Sequence, residues 1–303
     1  MTSSTTRLRR APREGARSRA FTPWLFLIAP LALLVAFTYI PVSNMIYYSF
    51  TSWDGLDQNK VFIGIENYID VFTKPEFWGV FLVSVYYIVA SFVQMALALY
   101  FATVLSFKTR FRNLFKGIIF FPYLINTVAI SFIFLYLFQP GGTLDTVLQV
   151  VGLKSLQHQW LGDPAVVNFS LAGTSLWRFL GLNFVLFLGA IQSIPSELYE
   201  AAELDGASGW QKFRFIIAPG IKRIISLSFI LAIAGSLSAF EIPFIMTGGA
   251  NGTTTFVIKA YQEAFTYSHV GLASALAVVL LLVVLLVTWI QRRLVPDEDV
   301  SLT

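Results

Sequence analysis

Two ionisable side chains stand within or beside long apolar stretches, where water is scarce. Arg178 lies about nine residues into the run 169–192, and Glu241 about five residues before the end of the run 223–246. A charge at the centre of a bilayer costs about 2.5–3.5 kcal/mol on insertion scales, so each is expected to face a polar cavity or a partner. Gln94 and Asn183 add uncharged donors and acceptors in similar surroundings, and Trp177 adds an aromatic face. These groups suit hydrogen bonding to hydroxyls of a solute in a polar path. An Arg178–Glu241 structural pair, or snorkelling toward the surface, would account for the two charges equally well.

A second constellation sits in a polar interruption between two apolar runs. Glu200 and Glu203, at i and i+3, share one helix face that can meet basic or amide groups, and Ala201 and Ala202 permit close approach. The surrounding residues predict a helix-turn-helix over 196–219. Ser196 is suited to cap a first short helix, with Glu197 and Glu200 near its positive end, and Asp205-Gly206 supplies the turn that stops it. Ser208 and Gln211 have the spacing of a capping box, Trp210 and Phe213 form an apolar stripe, and Pro219 closes the unit.

Most of the remaining chain is suited to lipid. Hydrophobic residues make up 56% of 303 positions and charged ones 13%, whereas a soluble domain carries about 25% charged residues. Mean hydropathy is +0.70. About 20 apolar residues cross a bilayer as helix, so the uncharged runs predict six spans at roughly 22–45, 79–103, 117–138, 169–192, 223–246 and 269–290. Continuous runs of this length exclude the alternation of a barrel. The first span is too long for a signal peptide and lacks a small-residue cleavage site, so it is expected in the mature protein.

Basic residues divide 16 against 4 between the two sets of loops, leaving Arg178 aside. The rich side holds the N-terminal arginines, Lys108 to Lys116, Lys212 to Arg223, and Arg292-Arg293; the poor side holds Lys60, Lys74, Lys154 and Lys259. That asymmetry predicts cytoplasmic termini and a cytoplasmic 193–222 loop. It also accounts for the net charge of +4 without nucleic acid. On the other side, Trp53-Asp54-Gly55 reads as a turn, 66–72 as a short amphipathic stretch along the membrane surface, 139–168 as an ordered cap, and 248–252 as a flexible tip.

Soluble catalytic chemistry finds no motif. There is no glycine-rich loop ending in Lys-Ser or Lys-Thr and no Gly-x-Ser-x-Gly elbow, and His158 and His269 are far apart without neighbouring ligands. No metal site, cofactor or catalytic residue is expected. With no cysteine, disulfides and thiol chemistry drop out too.

Glu200-Ala201-Ala202, three residues, Gly206, nine residues, Ile216 and Pro219 resemble the EAA motif of type I ABC importer permeases. Ala218 stands where a leucine is usual. The stretch from Ile191 through Ala207 is similar to that of sugar permeases of binding-protein-dependent importers. Tyr39-Ile40-Pro41, Ser49-Phe50-Thr51, 62–68, Thr247-Gly248-Gly249 and 271–275 extend the likeness to the maltose and glycerol-phosphate permeases. Glu241 and Ala250 depart from it, standing where Asp and Pro are common. The resemblance implies an all-α membrane protein, the six-helix type I ABC importer transmembrane domain with a cytoplasmic coupling helix. Its regions would be a basic tail 1–20, a first helix and extracytoplasmic segment 21–75, a transmembrane domain 76–291, and a tail 292–303.

It further implies a non-enzymatic permease in a bacterial or archaeal plasma membrane, forming half of a translocation path for a sugar. Its partners would be a second homologous permease, cytosolic ATP-binding subunits, an extracytoplasmic solute-binding protein, the carbohydrate and membrane lipid. Coupling would fall to Glu200, Ala201, Ala202, Asp205, Gly206, Ala207 and Pro219, and the substrate path to Gln94, Trp177, Arg178, Asn183 and Glu241, with Trp177 stacking on a sugar face. The alternative is an ion-coupled secondary transporter, but that needs buried acids or broken helices, and Glu241 stands alone.

Overall fold

A computed structural model describes residues 26–107 and 110–294. The basic tail 1–20, Lys108 and residues 295–303 lie outside the described residues. Those described are almost entirely helical, with one isolated bridge between Thr51 and Phe62. The chain divides near Tyr47 into two compact units. Most of the first described helix, α1 (Phe26–Tyr48), makes up the described part of the N-terminal unit. Its residues Val35–Tyr39 widen into a π turn just before Pro41. Proline lacks the N–H that an α turn would use and its ring crowds the preceding carbonyls, so the wider turn relieves both.

In the second unit, α2 (Glu66–Thr73) leads into α3 (Pro75–Ser106), then α4 (Arg112–Leu124), α5 (Thr127–Phe138), α6 (Thr143–Val150) and α7 (Val167–Gln192). After the short helices of 196–220 come α10 (Lys222–Leu237), α11 (Glu241–Thr247), α12 (Phe256–Tyr261) and α13 (Val270–Leu294). The short pair is named α8 (Ser196–Leu204) and α9 (209–220), the latter running through a π segment Phe213–Ile217. Among the described residues, five helical stretches are long and apolar enough to cross a membrane.

The expected third span is broken. Its two halves, α4 and α5, meet at 97°. Pro122 in the last turn of α4 removes a donor, Ile125 is extended, and the Asn126 side chain accepts from Val128 N at 2.8 Å to start a new helix. The fifth span is interrupted too. Ser238 to Phe240 leave the helix, and Thr255 Oγ1 donates to the freed Ala239 carbonyl at 2.6 Å.

Three apolar clusters hold the second unit together. At the end that carries 196–219, Ala98 and Ala102 of α3 meet Phe184, Phe187 and Ile191 of α7. In the middle, Val83 and Tyr87 pack with Leu171, Ile242 and Met246. A third cluster joins Val71, Phe77 and Phe256 to Leu276 and Val279 of α13.

The segment before α3 is folded against the start of α13. The amphipathic stretch is helix α2, and it buries Asn67, whose amide donates to the carbonyls of Ser49 and Thr51 at 2.9 Å each. Gly55 has φ +92, and Asp54 Oδ1 accepts from Leu56 N and Asp57 N, as a turn requires. Gly271 N donates to Trp53 O at 2.9 Å, and a Cβ at Gly271 would overlap the Thr51 carbonyl. Overpacking of this kind costs about 1–3 kcal/mol. Gly271→Ala is therefore expected to melt several degrees below wild type in a thermal scan of the purified protein, and Gly235→Ala, which meets nothing, to melt within a degree or two of it. Equal melting of the two would contradict this packing.

The 139–168 cap is ordered around one carboxylate. Asp145 accepts from Trp160 Nε1 at 2.8 Å and from Gly141 N at 2.9 Å, while its carbonyl takes the Gln157 amide at 2.7 Å. The 248–252 tip is tied down rather than loose, because Asn251 donates to Leu161 O at 2.9 Å and Thr254 to Gly249 O at 2.7 Å.

Candidate functional site

The helix-turn-helix of 196–219 forms with one change to its capping. Pro195, not Ser196, is the N-cap of α8, and no side chain caps that end. At the other end the backbone closes a Schellman motif: Ala207 N donates to Ala202 O at 2.8 Å and Gly206 N to Glu203 O at 3.1 Å. Gly206 sits at φ +72, where a side chain is strained, and the half-buried Ala202 and Ala207 are joined across the turn by the backbone bond. The glycine at 206 is thus a structural requirement of the turn. Both halves of the expected capping box are present, Gln211 N to Ser208 Oγ at 3.3 Å and Ser208 N to Gln211 Oε1 at 2.7 Å.

Glu203 and Glu200 have different surroundings. Lys212 Nζ donates to Glu203 Oε1 at 2.7 Å and clamps α8 to α9. That ammonium holds the Glu203 carboxyl below its ordinary value. The clamp is therefore present near neutral pH and is lost as pH falls through the lowered pKa. Glu200, Ala201 and Asp205 remain exposed. Pro219 lies inside α9, one residue before its end, behind the π segment 213–217 that makes room for it.

The unit has an anchored side and an open side. Ile217 and Ile221 are fully buried in the α3–α7 cluster, with Tyr199 and Phe213 packed beside them. On the open side Leu204 is 90% exposed and Trp210 66%. Leu204 is marked in the sequence only as an isolated leucine before Asp205-Gly206.

The intramembrane candidates separate. Gln94, Asn183 and Glu241 line one cavity of about 310 Å³ between α3, α7, α10 and α11, together with Tyr87, Ser91 and Gly235. Gln94 is committed in part, donating to Phe179 O at 2.7 Å. Glu241 is exposed at the first turn of α11, just past the break in the fifth span, where the helix dipole favours a carboxylate. Trp177 and Arg178 lie outside the cavity lining. Trp177 packs against Phe134 with ring centroids 5.2 Å apart. Arg178 places its guanidinium 4.6 Å from the Phe179 ring and 5.8 Å from that of Tyr123. No ion pair joins Arg178 to Glu241 among the described residues.

At the far end of the bundle from 196–219, the buried Glu263 takes Lys259 at 2.9 Å and His269 at 3.0 Å, and Glu76 stands 4.0 Å from Lys259. This cluster fastens α12 to the start of α13; Lys259 and Glu263 are at i and i+4, the spacing at which helical charges pair, and Glu263 is a buried acid where the sequence had offered Glu241 alone.

A family model described as "Binding-protein-dependent transport system inner membrane component" matches residues 94–299. The chain belongs to this family. "Probable ABC transporter permease protein YurN" of Bacillus subtilis (strain 168) is 35% identical over 277 residues, covering 89% of this chain and 94% of the relative. "Multiple sugar-binding transport system permease protein MsmF" of Streptococcus mutans serotype c is 34% identical over 274 residues, covering 89% and 94%. The fold is that of a chain in a solved bacterial alginate ABC transporter, crystallised in complex with an alginate pentasaccharide-bound periplasmic protein. That chain has a TM-score of 0.82 at 18% identity, with 91% of this chain and 94% of that one covered. As a member of the binding-protein-dependent family, this chain is a multi-pass membrane component of a transport system.

Proposed function

We propose that this permease forms half of the path for a sugar handed over by an extracytoplasmic binding protein, and that 196–219 couples it to a cytosolic ATPase. The observation that carries the reading is the two-sided character of that unit. Its buried side, Ile217 and Ile221, is continuous with the spans, and its open side offers Leu204, Trp210, Glu200 and Asp205 to a partner outside the membrane. Leu204 and Trp210 are exposed on a segment that the basic-residue asymmetry assigns to the cytoplasm, away from lipid, which suits a docking surface. A closing motion of the ATPases would move α8 and α9 as one clamped body, and their packing would pass it to α3 and α7.

The substrate follows from the cavity and from the relatives. Its walls offer Gln94, Asn183, Glu241 and several hydroxyls but no cation, which suits a polyhydroxylated solute, and MsmF is a sugar permease by name. The second half of the path would come from a homologous permease. Nucleotide chemistry belongs to the ATP-binding subunits, the working transmembrane domain is 76–291, and the protein sits in the plasma membrane with both termini cytoplasmic. Uptake tests this reading: the complete complex with its binding protein, in proteoliposomes loaded with ATP, should accumulate at least one of lactose, maltotriose and raffinose. Absence of saccharide uptake in a complex that hydrolyses ATP would refute it.

Orientation has its own test. Reporter fusions after residues 60 and 155 should read outside, and fusions after 112 and 208 inside, because the basic loops stay in the cytoplasm. Two reversals would sink the topology.

Arg178 and Glu241 should behave differently, since one lines the cavity and the other does not. Glu241→Gln is expected to slow uptake or alter substrate preference in a complex of normal abundance. Arg178→Gln should instead lower the amount of assembled complex, because its guanidinium is packed on two rings. The pair of quantitative blots and uptake rates decides it; the reverse pattern would exchange the two roles.

A further inference from the structure

Helix α3 carries a second cavity above the first. Glu76, Val80 and Val83 help wall an open groove of about 300 Å³, lined on its other side by Thr254, Lys259 and Gln262. Deeper along the same helix, Tyr87, Ser91 and Gln94 line the 310 Å³ cavity already described. At 100° per residue these six α3 positions fall within an arc of about 80°, and from Glu76 to Gln94 they span about 27 Å. One face of one helix therefore runs from the outer end of the bundle to the middle of the membrane. The two spaces are separated by about one turn, where Val83 and Tyr87 are buried with Ile242 and Met246 of the seven-residue helix α11.

Tyr87 is anomalous in that plug. It is only 3% exposed, and its hydroxyl is buried with no hydrogen-bond partner. Leaving such a group unsatisfied costs about 1–3 kcal/mol, and phenylalanine would fill the same apolar surroundings without that cost. Tyr87 lines the 310 Å³ cavity one helical turn from Val83, which lines the other space, so its ring stands at the boundary between them. We propose that Tyr87 is a gate residue whose hydroxyl bonds a hydroxyl of the passing saccharide when α11 moves aside and the two cavities join. Packing closes the gate at rest, and the sugar supplies the missing partner in transit. This inference rests on the reading of the chain as a sugar permease.

The test uses Tyr87→Phe, which removes one oxygen and keeps the ring, and Tyr86→Phe as a control. Tyr86 lies outside that cavity and packs edge-on against Phe169 in an apolar groove. Complete complexes in proteoliposomes are compared for uptake of whichever of lactose, maltotriose and raffinose the wild type accumulates, alongside ATP hydrolysis, complex yield and melting temperature. A neutral hydrogen bond is worth about 0.5–1.5 kcal/mol, so Tyr87→Phe should lower the maximal uptake rate, and the saccharide delivered per ATP, by about two- to tenfold. Yield and the binding-protein concentration at half-saturation should stay at wild-type levels, melting should rise by a few degrees as the unsatisfied hydroxyl is removed, and Tyr86→Phe should transport normally. Wild-type uptake by Tyr87→Phe would overturn the proposal, as would a loss of uptake matched by an equal loss of complex. If the wild-type complex takes up none of the three sugars while hydrolysing ATP, the permease reading itself fails and the gate falls with it.

Discussion

Gly206→Val and Glu200→Lys are expected to abolish stimulated ATP hydrolysis and uptake while leaving membrane insertion intact. Gly206 sits at φ +72 in the Schellman turn, and a β-branched residue there is strained by at least about 1–2 kcal/mol. The chain can escape only by reopening the bonds from Ala207 to Ala202 and from Gly206 to Glu203, which set the angle between α8 and α9. Glu200→Lys acts differently, leaving the turn whole but reversing an exposed charge on the open face. Neither touches the buried anchors Ile217 and Ile221. Co-purification of the ATPase and hydrolysis stimulated by loaded binding protein should each fall at least about tenfold, the effect of 1.4 kcal/mol. Wild-type values in both variants would remove 196–219 from the coupling role.

Gly235→Trp should block transport from the other side of the mechanism. Gly235 lies on α10 and faces the 310 Å³ cavity, and nothing stands within 4 Å of the position a Cβ would take. An indole there enters free space rather than the packed core, so folding and ATPase docking should survive. Uptake should drop below about a tenth of wild type, because the ring would occupy most of the volume a sugar unit needs. Hydrolysis and complex yield report whether the block is local. Normal uptake would show that the solute takes another route.

The docking unit was legible in the sequence because its signals are local. A capping box needs only Ser208 and Gln211 three apart, and a Schellman turn needs a glycine just past the helix end, so residues close in sequence specify both. The break in the third span was legible in principle, since Pro122 and Asn126 mark it, but a long apolar run outweighed them. Hydropathy reports what a segment is dissolved in and is blind to its bends. The interruption before Glu241 escaped for the same reason, and no proline marks it within Ser238 to Phe240.

Side-chain destinations were the least legible. Arg178 and Glu241 are equally conspicuous in sequence, yet one packs on aromatic rings and the other lines a cavity, because helix rotation decides the matter. Glu203 matched Glu200 on paper until Lys212, nine residues on, took it as a partner. Tyr87 gave no signal at all, since an unsatisfied hydroxyl becomes visible only once its neighbours are placed.

The central claim is that α8 and α9 touch the ATPase during transport. The chain contains no cysteine, so Leu204→Cys introduces a unique thiol on the most exposed point of the turn. Complete complexes carrying it in proteoliposomes, treated with a short thiol-to-amine cross-linker during ATP-driven uptake, should join this permease to the ATP-binding subunit and lose transport as the link forms. A complex that transports at the wild-type rate with no such link, or with the link formed and uptake unaffected, would contradict the account.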